Sequence, residues 1–422
     1  MNITILTAGT RGDVQPFVAL ALGLQEAGHR VTLAAEAGFA PLITGHGVPH
    51  APLRADFQAL ATSEEGRGAL GGNPLAILRA LRTSVLPSAR ALLEDAWAAA
   101  QGADVLVCHP KTLAGPHLAE KLDVPCFLAL PVPSLVPTQA FPAPGVATRD
   151  LGGFLNRLTY SLTQAAVFPF HGLINRWRRE TLDLAPQPLF TDPFALGEKP
   201  LPVLYGFSPH VVPPPLDWPG HVHVTGYWFL DEPAWTPPPD LVRFLEAGPP
   251  PVYVGFGSMA RQDPNHTTAI VLEALARTGQ RGIVATGWGG LEGRSSSPDV
   301  FVTDGAPHSW LFPRVSVVVH HGGAGTTAAG LRAGKPTVIC PFAADQPFWG
   351  QRTSALDVGP KPMLASRLRA EALADALHQA AHDPFFEQRA SEVGEALRLE
   401  DGVSRAVAVL ERAVLEQSGA LR

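Results

Sequence analysis

The sequence contains little cysteine for its size. Three cysteines occur in 422 residues, at Cys108, Cys126 and Cys340, and all three lie in apolar segments that resemble strands. Three scattered thiols cannot build the disulfide framework of a small secreted domain, and their spacing does not match a metal site. We therefore expect a protein of a reducing compartment, the cytoplasm.

Long apolar runs and clusters of basic residues are also missing. No window offers about 18 apolar residues free of charge and proline, and the opening MNITILTAG enters a strand without a basic leader, so neither a membrane span nor export is expected. The 32 basic and 38 acidic residues give a net charge of -6 without a basic stripe, which argues against a nucleic-acid partner. A peripheral contact with a membrane is left open.

Length and composition predict two globular domains. The chain is too long for one ordinary core, and 46% hydrophobic against 17% charged residues leaves much to bury. A proline-rich stretch marks the boundary between the two halves. The predicted division is a first domain at 1–215, a linker at 216–240, a second domain at 241–400 and a last helix at 401–422.

The stretch from 315 to 346 carries the clearest chemical signal. An apolar β-branched run at 315–319 predicts a strand, 320–327 a glycine-rich corner, 328–333 a small-residue helix, and 337–341 a second strand. Glycines let the backbone turn and approach a ligand closely, and the free N–H groups at a helix start attract an anion. The pattern therefore predicts a phosphate site, although glycines between a strand and a helix can also make only a turn.

The N-terminus repeats this plan. A strand at 3–7, a glycine loop at 9–12, a helix at 16–27 and a strand at 31–34 follow one another. Each half thus centres on a Rossmann-like β/α/β corner, which predicts an α/β protein. Between the two corners, residues 131–188 are rich in proline, phenylalanine and amphipathic helical pieces, which indicates either ordinary packing or the wall of an apolar pocket.

Taken together, these motifs resemble the two-domain glycosyltransferases of GT-B fold that use nucleotide sugars, within the branch of the sterol glucosyltransferases and the glycopeptide-antibiotic glycosyltransferases. The resemblance implies two Rossmann-like domains facing across a cleft, with the C-terminal helix returning to the first domain. The matching segments span nearly the whole chain: GTRGDVQP at 9–16, NRLTY to INRWR at 156–178, VGFGSM at 254–259, APHSWLFPR at 306–314, HHGGAGTTAAGLRAG at 320–334 and PFAADQPFWG at 341–350.

The resemblance also implies roles for single residues. Asp13 would be the general base of catalysis, although an Asp at a helix start is commonly only a cap. Asp345 and Gln346 would bond the hydroxyls of the transferred hexose. The full set expected to bind the donor is Ser258, Ala306, His308, His321, Gly323, Ala324, Gly325, Thr326, Thr327, Asp345 and Gln346.

The expected reaction is an inverting transfer of a hexose, glucose above all, from a nucleotide diphosphate sugar to a hydroxyl of a lipophilic acceptor such as a sterol, a terpenoid or carotenoid, or a polyketide. Gly305 stands where plant relatives stack a tryptophan on the base, and Ala329 where they bind the ribose, so the choice between UDP-sugar and dTDP-sugar stays open, with Trp288 as another candidate for stacking. No two aspartates are separated by one residue. We therefore expect neither a metal nor another cofactor.

Three alternatives remain. A nucleotide-sugar epimerase shares the GT-B fold but needs no apolar acceptor region. An NAD-dependent oxidoreductase is suggested by Gly323-x-Gly325-x-x-Ala328, which imitates the dinucleotide-binding fingerprint. A protein of this fold that binds nucleotide sugar without turning it over is the third.

Overall fold

The structure is a computed structural model that describes residues 1–54, 79–232, 235–257, 264–285 and 297–417. Within these ranges the chain forms two parallel β-sheets with helices on their faces. The predicted α/β class with two Rossmann-like halves is confirmed. Parallel strands buried on both faces need continuous apolar runs, and the segments that were predicted as strands supply them.

The first sheet has seven strands in the order β3-β2-β1-β4-β5-β8-β9, all of them parallel. A short antiparallel pair, β6 with β7, lies outside it. The strands are β1 (Asn2–Leu6), β2 (Arg30–Glu36), β3 (His50–Leu53), β4 (Val105–Cys108), β5 (Cys126–Leu130), β6 (Ala195–Leu196), β7 (Lys199–Pro200), β8 (Val203–Tyr205) and β9 (Val222–Val224).

Six α-helices are described in this half: α1 (Arg11–Glu26), α2 (Ala40–Gly45), α3 (Leu86–Ala99), α4 (Gly115–Leu122), α5 (Gly153–Ala165) and α6 (His171–Glu180). Helix α1 begins five residues before the predicted start at Pro16, because Thr10 occupies the N-cap position. Pro16 lies inside the helix, where it deprives the Gly12 carbonyl of its usual N–H partner. Asp13 is consequently a first-turn residue of the helix.

The second sheet has five parallel strands in the order β12-β11-β10-β13-β14. Its strands are β10 (Val252–Gly255), β11 (Gly282–Ala285), β12 (Val300–Thr303), β13 (Val318–His320) and β14 (Thr337–Ile339). The helices described from here to the C-terminus are α7 (Pro239–Glu246), α8 (Pro264–Thr278), α9 (His308–Leu311), α10 (Ala324–Arg332), α11 (Gln346–Ala355), α12 (Ala370–His382), α13 (Pro384–Arg398) and α14 (Gly402–Gln417).

Shorter helical turns join these elements. In the described part of the chain, five are 3₁₀ turns and one is a π-helical turn: Ala37–Phe39, Pro110–Thr112, Phe168–Phe170, Phe312–Arg314 and Ala365–Arg367 are 3₁₀, and Leu81–Val85 is π-helical. Helix α10 begins at Ala324, four residues before the predicted start, because the corner closes at Gly323.

Both sheets reverse their strand order at a central strand. In the first sheet β1 lies between β2 and β4, and in the second β10 lies between β11 and β13. At such a point, the connections that follow two neighbouring strands run in opposite directions. This opens a crevice at the carboxyl ends of the two strands, which is the usual ligand position in open α/β sheets. The loops that follow β1, β4 and β13 carry the residues discussed below.

The last helix returns to the first half of the chain. On α14, Ala406, Val407 and Leu410 are buried in one cluster with Phe17 and other residues of α1. Val403 of α14 lies so close to Gly23 of α1 that a Cβ at residue 23 would collide with it. Helix α14 thus packs against helix α1 of the first half.

The range predicted as the linker, 216–240, includes a strand of the first sheet. Val222–Val224 pairs in parallel with β8 and forms the edge of that sheet. Beyond the linker the two halves also touch directly, since Arg352 Nε donates to the Val211 carbonyl at 3.0 Å and Ser208 Oγ donates to Glu400 at 2.7 Å.

Candidate active site

Asp13 faces the loop that follows strand β4. Its Oδ2 accepts hydrogen bonds from the main-chain N–H (2.8 Å) and the hydroxyl (3.1 Å) of Thr10, so it does serve as a cap at the helix start. Its Oδ1 accepts from Nζ of Lys111 at 2.6 Å. Gly9, at φ 135°, lies against the carboxylate, and a Cβ there would collide with it. Asp13 is therefore held on both oxygens, with a side chain only 13% exposed.

The charge state of Asp13 follows from its neighbours. Burial raises the pKa of this carboxyl group, but Lys111, His109 and the hydrogen bonds from Lys111 and Thr10 lower it by more. The net pKa lies below the ordinary value. Asp13 is therefore ionised at neutral pH and can accept a proton.

The residues that complete this cluster, His109 and Lys111, were not predicted. Nδ1 of His109 accepts from the Lys111 N–H at 3.1 Å, so its ring proton is on Nε2, which lies 3.6 Å from Asp13 Oδ1. Burial lowers the pKa of His109 to about 4, so the ring is neutral at pH 7. The signal for these two residues in the sequence is their position just after an apolar strand, on either side of Pro110.

An apolar cavity of about 340 Å³ opens beside this cluster. Among the described residues of its lining, His109 and Lys111 are the ionisable ones, and both contact Asp13. Most of the remaining lining is aliphatic or aromatic, and a large part of it comes from the segment 131–188. The lining consists of Val85, Ser88, Ala89, Leu92, His109, Pro110, Lys111, Leu113, Leu130, Ser134, Leu135, Thr163, Ala166, Val167, Phe170 and Phe194.

His321 follows strand β13 at the glycine corner of the second half. Gly322 turns the chain at φ 89°, and its N–H donates to Nδ1 of His320 at 3.0 Å. Nε2 of His321 lies so near Gly323 that a Cβ there would be only 2.6 Å away, so glycine is needed for the ring to lie under the turn. Burial lowers the pKa of His321 to about 4, and the ring is neutral at pH 7.

Helix α10 starts directly after this ring, with Gly323 at its N-cap and no side chain capping it. The amides of Ala324, Gly325 and Thr326 occupy the first turn, where N–H groups have no partner inside the helix. Thr327 is different, because its N–H and its hydroxyl both donate to the Gly323 carbonyl at 2.9 Å. Thr327 therefore supports the helix start, whereas the amides before it are suited to an anion.

Asp345 and Gln346 lie at the start of helix α11, across the cleft from Asp13. Oδ2 of Asp345 accepts from the Trp349 indole N–H at 2.8 Å, which leaves Oδ1 for a ligand. Burial raises the pKa of Asp345, and the charge of Asp13 adds to that rise. Oε1 of Gln346 accepts from the N–H groups of Phe342 and Ala343 at 2.8 and 3.2 Å.

The backbone directly before Asp345 is strained. Ala344 adopts φ 57°, a conformation that costs a residue with a Cβ about 1–3 kcal/mol. Gly145 of the first half packs against the main chain of Ala344. The strained turn that positions Asp345 is therefore held from the opposite side of the cleft.

The remaining predicted donor residues are only partly described. The ring of His308 stacks on Phe312 with centroids 4.2 Å apart, and burial, assisted by Arg11 and His321, lowers its pKa to about 4. Ala306 precedes helix α9 and is half-buried. Ser258 and Trp288 lie outside the described residues, so their predicted contacts stay predictions.

Both halves of the chain match known protein families. Residues 3–140 match the glycosyltransferase family 28 N-terminal domain, and residues 269–402 match the C-terminal domain described as erythromycin biosynthesis protein CIII-like. The fold is that of the GT-B glycosyltransferases. Among curated proteins, this chain is 39% identical over 417 residues to Sterol 3-beta-glucosyltransferase UGT80A2 of Arabidopsis thaliana and 38% identical over 439 residues to a sterol 3-beta-glucosyltransferase of Cryptococcus neoformans.

These relatives are longer proteins. The alignment takes in 96% of this chain but 64% of the Arabidopsis protein, and 98% of this chain but 27% of the Cryptococcus protein. Among solved structures, the fold matches the glycotransferase of kitacinnamycin with a TM-score of 0.73 at 20% identity, covering 98% of this chain and 99% of the other. It matches the glycosyltransferase VinC, solved in complex with DTDP, with a TM-score of 0.68 at 19% identity, covering 99% and 100%.

Proposed function

We propose that the protein is an inverting glycosyltransferase that moves a hexose from a nucleotide diphosphate sugar to a hydroxyl of a lipophilic acceptor. The observation that carries the proposal is the position of Asp13. An ionised carboxylate contacts His109 and Lys111, the two ionisable residues in the described lining of a largely apolar cavity.

The cavity supports a lipophilic acceptor. A volume of about 340 Å³ lies in the range of small-molecule sites, and its apolar lining would bury a ring system. An acceptor placed there would direct a hydroxyl towards its polar end, at His109 and Lys111. The sterol 3-beta-glucosyltransferases among the relatives make a sterol the first acceptor class to test.

Asp13 would take the proton of that hydroxyl. An ionised carboxylate offers about four acceptor positions, and Thr10 and Lys111 use three of them. A hydroxyl can occupy the fourth or displace Lys111, whose side chain is half exposed. A carboxylate with a lowered pKa cannot deprotonate an alcohol beforehand, so the proton moves as the new C–O bond forms.

The second half would hold the donor. The first-turn amides of α10 and the neutral ring of His321 can donate hydrogen bonds to the diphosphate, whose negative charge grows as the glycosidic bond breaks. Asp345 and the amide group of Gln346 would bond the hexose hydroxyls. A nucleoside diphosphate is supported by the related folds solved with DTDP and with thymidine diphosphate, and glucose by the names of the relatives.

The reaction balances as a single displacement. The acceptor oxygen bonds to the anomeric carbon, the bond from that carbon to the diphosphate breaks, the diphosphate leaves as an anion, and Asp13 keeps the acceptor proton. With the base and the leaving-group site on opposite sides of the sugar, the configuration inverts. An α-linked nucleotide glucose would therefore yield a β-glucoside.

The test is to incubate the protein with UDP-glucose and with dTDP-glucose, each with a sterol, a hydroxylated carotenoid or a polyketide, and to analyse the products by mass spectrometry and proton NMR. A β-glycoside is the expected product. Conversion of the nucleotide sugar to an epimer without acceptor would favour the epimerase. Oxidation of an added alcohol coupled to reduction of added NAD to NADH would favour the oxidoreductase. Donor binding by calorimetry without product from any acceptor would favour a protein that binds without turnover.

A further inference from the structure

Helix α5 exposes an apolar face. Phe154, Leu155, Leu158 and Leu162 are 79%, 48%, 53% and 61% exposed. At 100° per residue they fall within an arc of roughly 100°, the width of a stripe that normally packs onto a core. Here that stripe points outwards. We call these four residues the apolar face of α5.

The opposite side of α5 is buried, and it carries the polar side chains of Asn156 and Thr159 beside the ring of Tyr160. Asn156 accepts from the Leu151 N–H at 3.0 Å and donates to the Gln139 carbonyl at 3.0 Å. Thr159 accepts from the Ala143 N–H at 2.7 Å. Because these hydrogen bonds hold the helix from its buried side, its apolar face makes no comparable contribution to packing within the described chain.

More apolar surface lies just beyond the C-terminal end of α5. Phe168 and Phe190 are 45% and 87% exposed, and their rings contact each other edge to face with centroids 6.0 Å apart. Large exposed apolar surfaces are uncommon on monomeric proteins and mark sites that bind another apolar surface.

The segment that carries this surface has more arginines than acidic residues, although the whole chain carries -6. Residues 149–180 contain five arginines and two acidic residues: Asp150, which accepts from Asn156 of α5 at 2.7 Å, and Glu180, which pairs with Arg90. Arg178 is buried and paired with Glu120, whereas Arg157, Arg176 and Arg179 are exposed. On α5, Arg157 borders the apolar face. Apolar side chains flanked by arginine complement an anionic lipid surface.

The apolar face also lies beside the cavity. Thr163 near the end of α5, and Ala166, Val167 and Phe170 just after it, line the cavity, while the apolar face covers the outer side of the same helix. We propose that α5 docks onto an anionic lipid bilayer, so that a lipophilic molecule can pass from the bilayer into the cavity. The docking does not depend on the proposed function, whereas the delivery of an acceptor rests on it.

The docking is tested by flotation with vesicles of phosphatidylcholine alone and of phosphatidylcholine with phosphatidylglycerol. The wild-type protein should float with the anionic vesicles, and less at high salt. The double variant Phe154→Glu, Leu158→Glu should bind at least about tenfold more weakly, because it removes apolar area and adds negative charge. Leu399→Glu is the matched control, since Leu399 is 86% exposed far along the chain and should leave binding unchanged.

Three results would overturn the docking: no flotation of the wild-type protein, equal flotation of the double variant, or a dimer in light scattering that the double variant converts to a monomer without any vesicle binding. Delivery is tested separately, by comparing an acceptor embedded in vesicles with a dispersed one in detergent. The double variant should lose turnover only with the embedded acceptor. Equal loss with both would reject delivery, and absence of turnover by the wild type with either would instead count against the proposed function.

Discussion

Replacing Asp13 by Asn separates the two roles that its carboxylate can have. The amide oxygen of Asn can still accept the Thr10 N–H, so the start of helix α1 is kept. What disappears is the basic oxygen at Lys111. If Asp13 takes the acceptor proton, Asp13→Asn should lower kcat roughly 10²–10⁴-fold, which corresponds to about 3–5 kcal/mol of transition-state stabilisation.

Lys111→Met is the matched control, because it removes the same ion pair and leaves the carboxylate. The pair is half exposed on the lysine side, so its loss should cost about 1 kcal/mol or less of stability in either variant. Turnover of Lys111→Met at pH 7.5 should stay within about tenfold of wild type, since the base remains. Without Lys111 the pKa of Asp13 rises, so the acid limb of kcat/KM should move to higher pH.

The assay is steady-state kinetics at pH 4 to 9 with saturating donor, alongside thermal unfolding of the three proteins. The reasoning fails if Asp13→Asn turns over at a near-normal rate, because a cap alone would then explain the residue. It fails equally if Lys111→Met loses as much activity as Asp13→Asn, because the ion pair and not the base would then be what matters. An α-linked product would reject the single displacement.

Four further outcomes are expected. His321→Ala should raise the donor KM and lower kcat, because one contact serves both binding and leaving-group charge; unchanged kinetics would remove it from the site. Activity should survive EDTA, and rescue by Mg²⁺ or Mn²⁺ alone would contradict an anion site made only of protein groups. Leu410→Ala, at a position 1% exposed, should cost about 2–5 kcal/mol in urea unfolding. Acidification from pH 7.5 to 5.5 should lower the free energy of unfolding by about 1 kcal/mol for each of His109, His308 and His321. Their pKa values near 4 in the folded protein lie below the unfolded value, so the unfolded chain binds more protons as the pH falls. In His308→Asn this loss of stability should be smaller.

The parts of the site that were predictable are those built from neighbouring residues. The corner between β13 and α10 consists of closely spaced glycines after an apolar run, and this local pattern predicts an anion site. The helix itself starts at Ala324, before the threonines, whereas the prediction placed its start after them. Local pattern also placed Asp13 at a helix start. In both cases the strand, the turn and the helix cap lie within about ten residues.

The parts that were missed depend on contacts between distant segments. Lys111 lies 98 residues from Asp13 and reaches it only because β4 pairs with β1, with Cys108 beside Leu6. Strand order cannot be read from apolar runs of similar composition. The same holds for α5, whose amphipathic pattern indicated packing or a pocket wall, whereas the structure buries the side that carries Asn156 and exposes its apolar face.

The position of Asp13 determines how strong a base its carboxylate can be, and therefore what the rest of the site would have to supply. Its Oδ2 is used to cap the first turn of α1, so the carboxylate is fixed in orientation and Oδ1 is left for Lys111 or an acceptor. The helix start and the lysine both favour the anion, which makes Asp13 a weak base. In the proposed reaction, a weak base can assist only when the bond to the diphosphate is already breaking. That reaction would then depend on how well His321 and the first turn of α10 stabilise the leaving group, so the rigid placement of Asp13 and the anion site of the second half would be needed together.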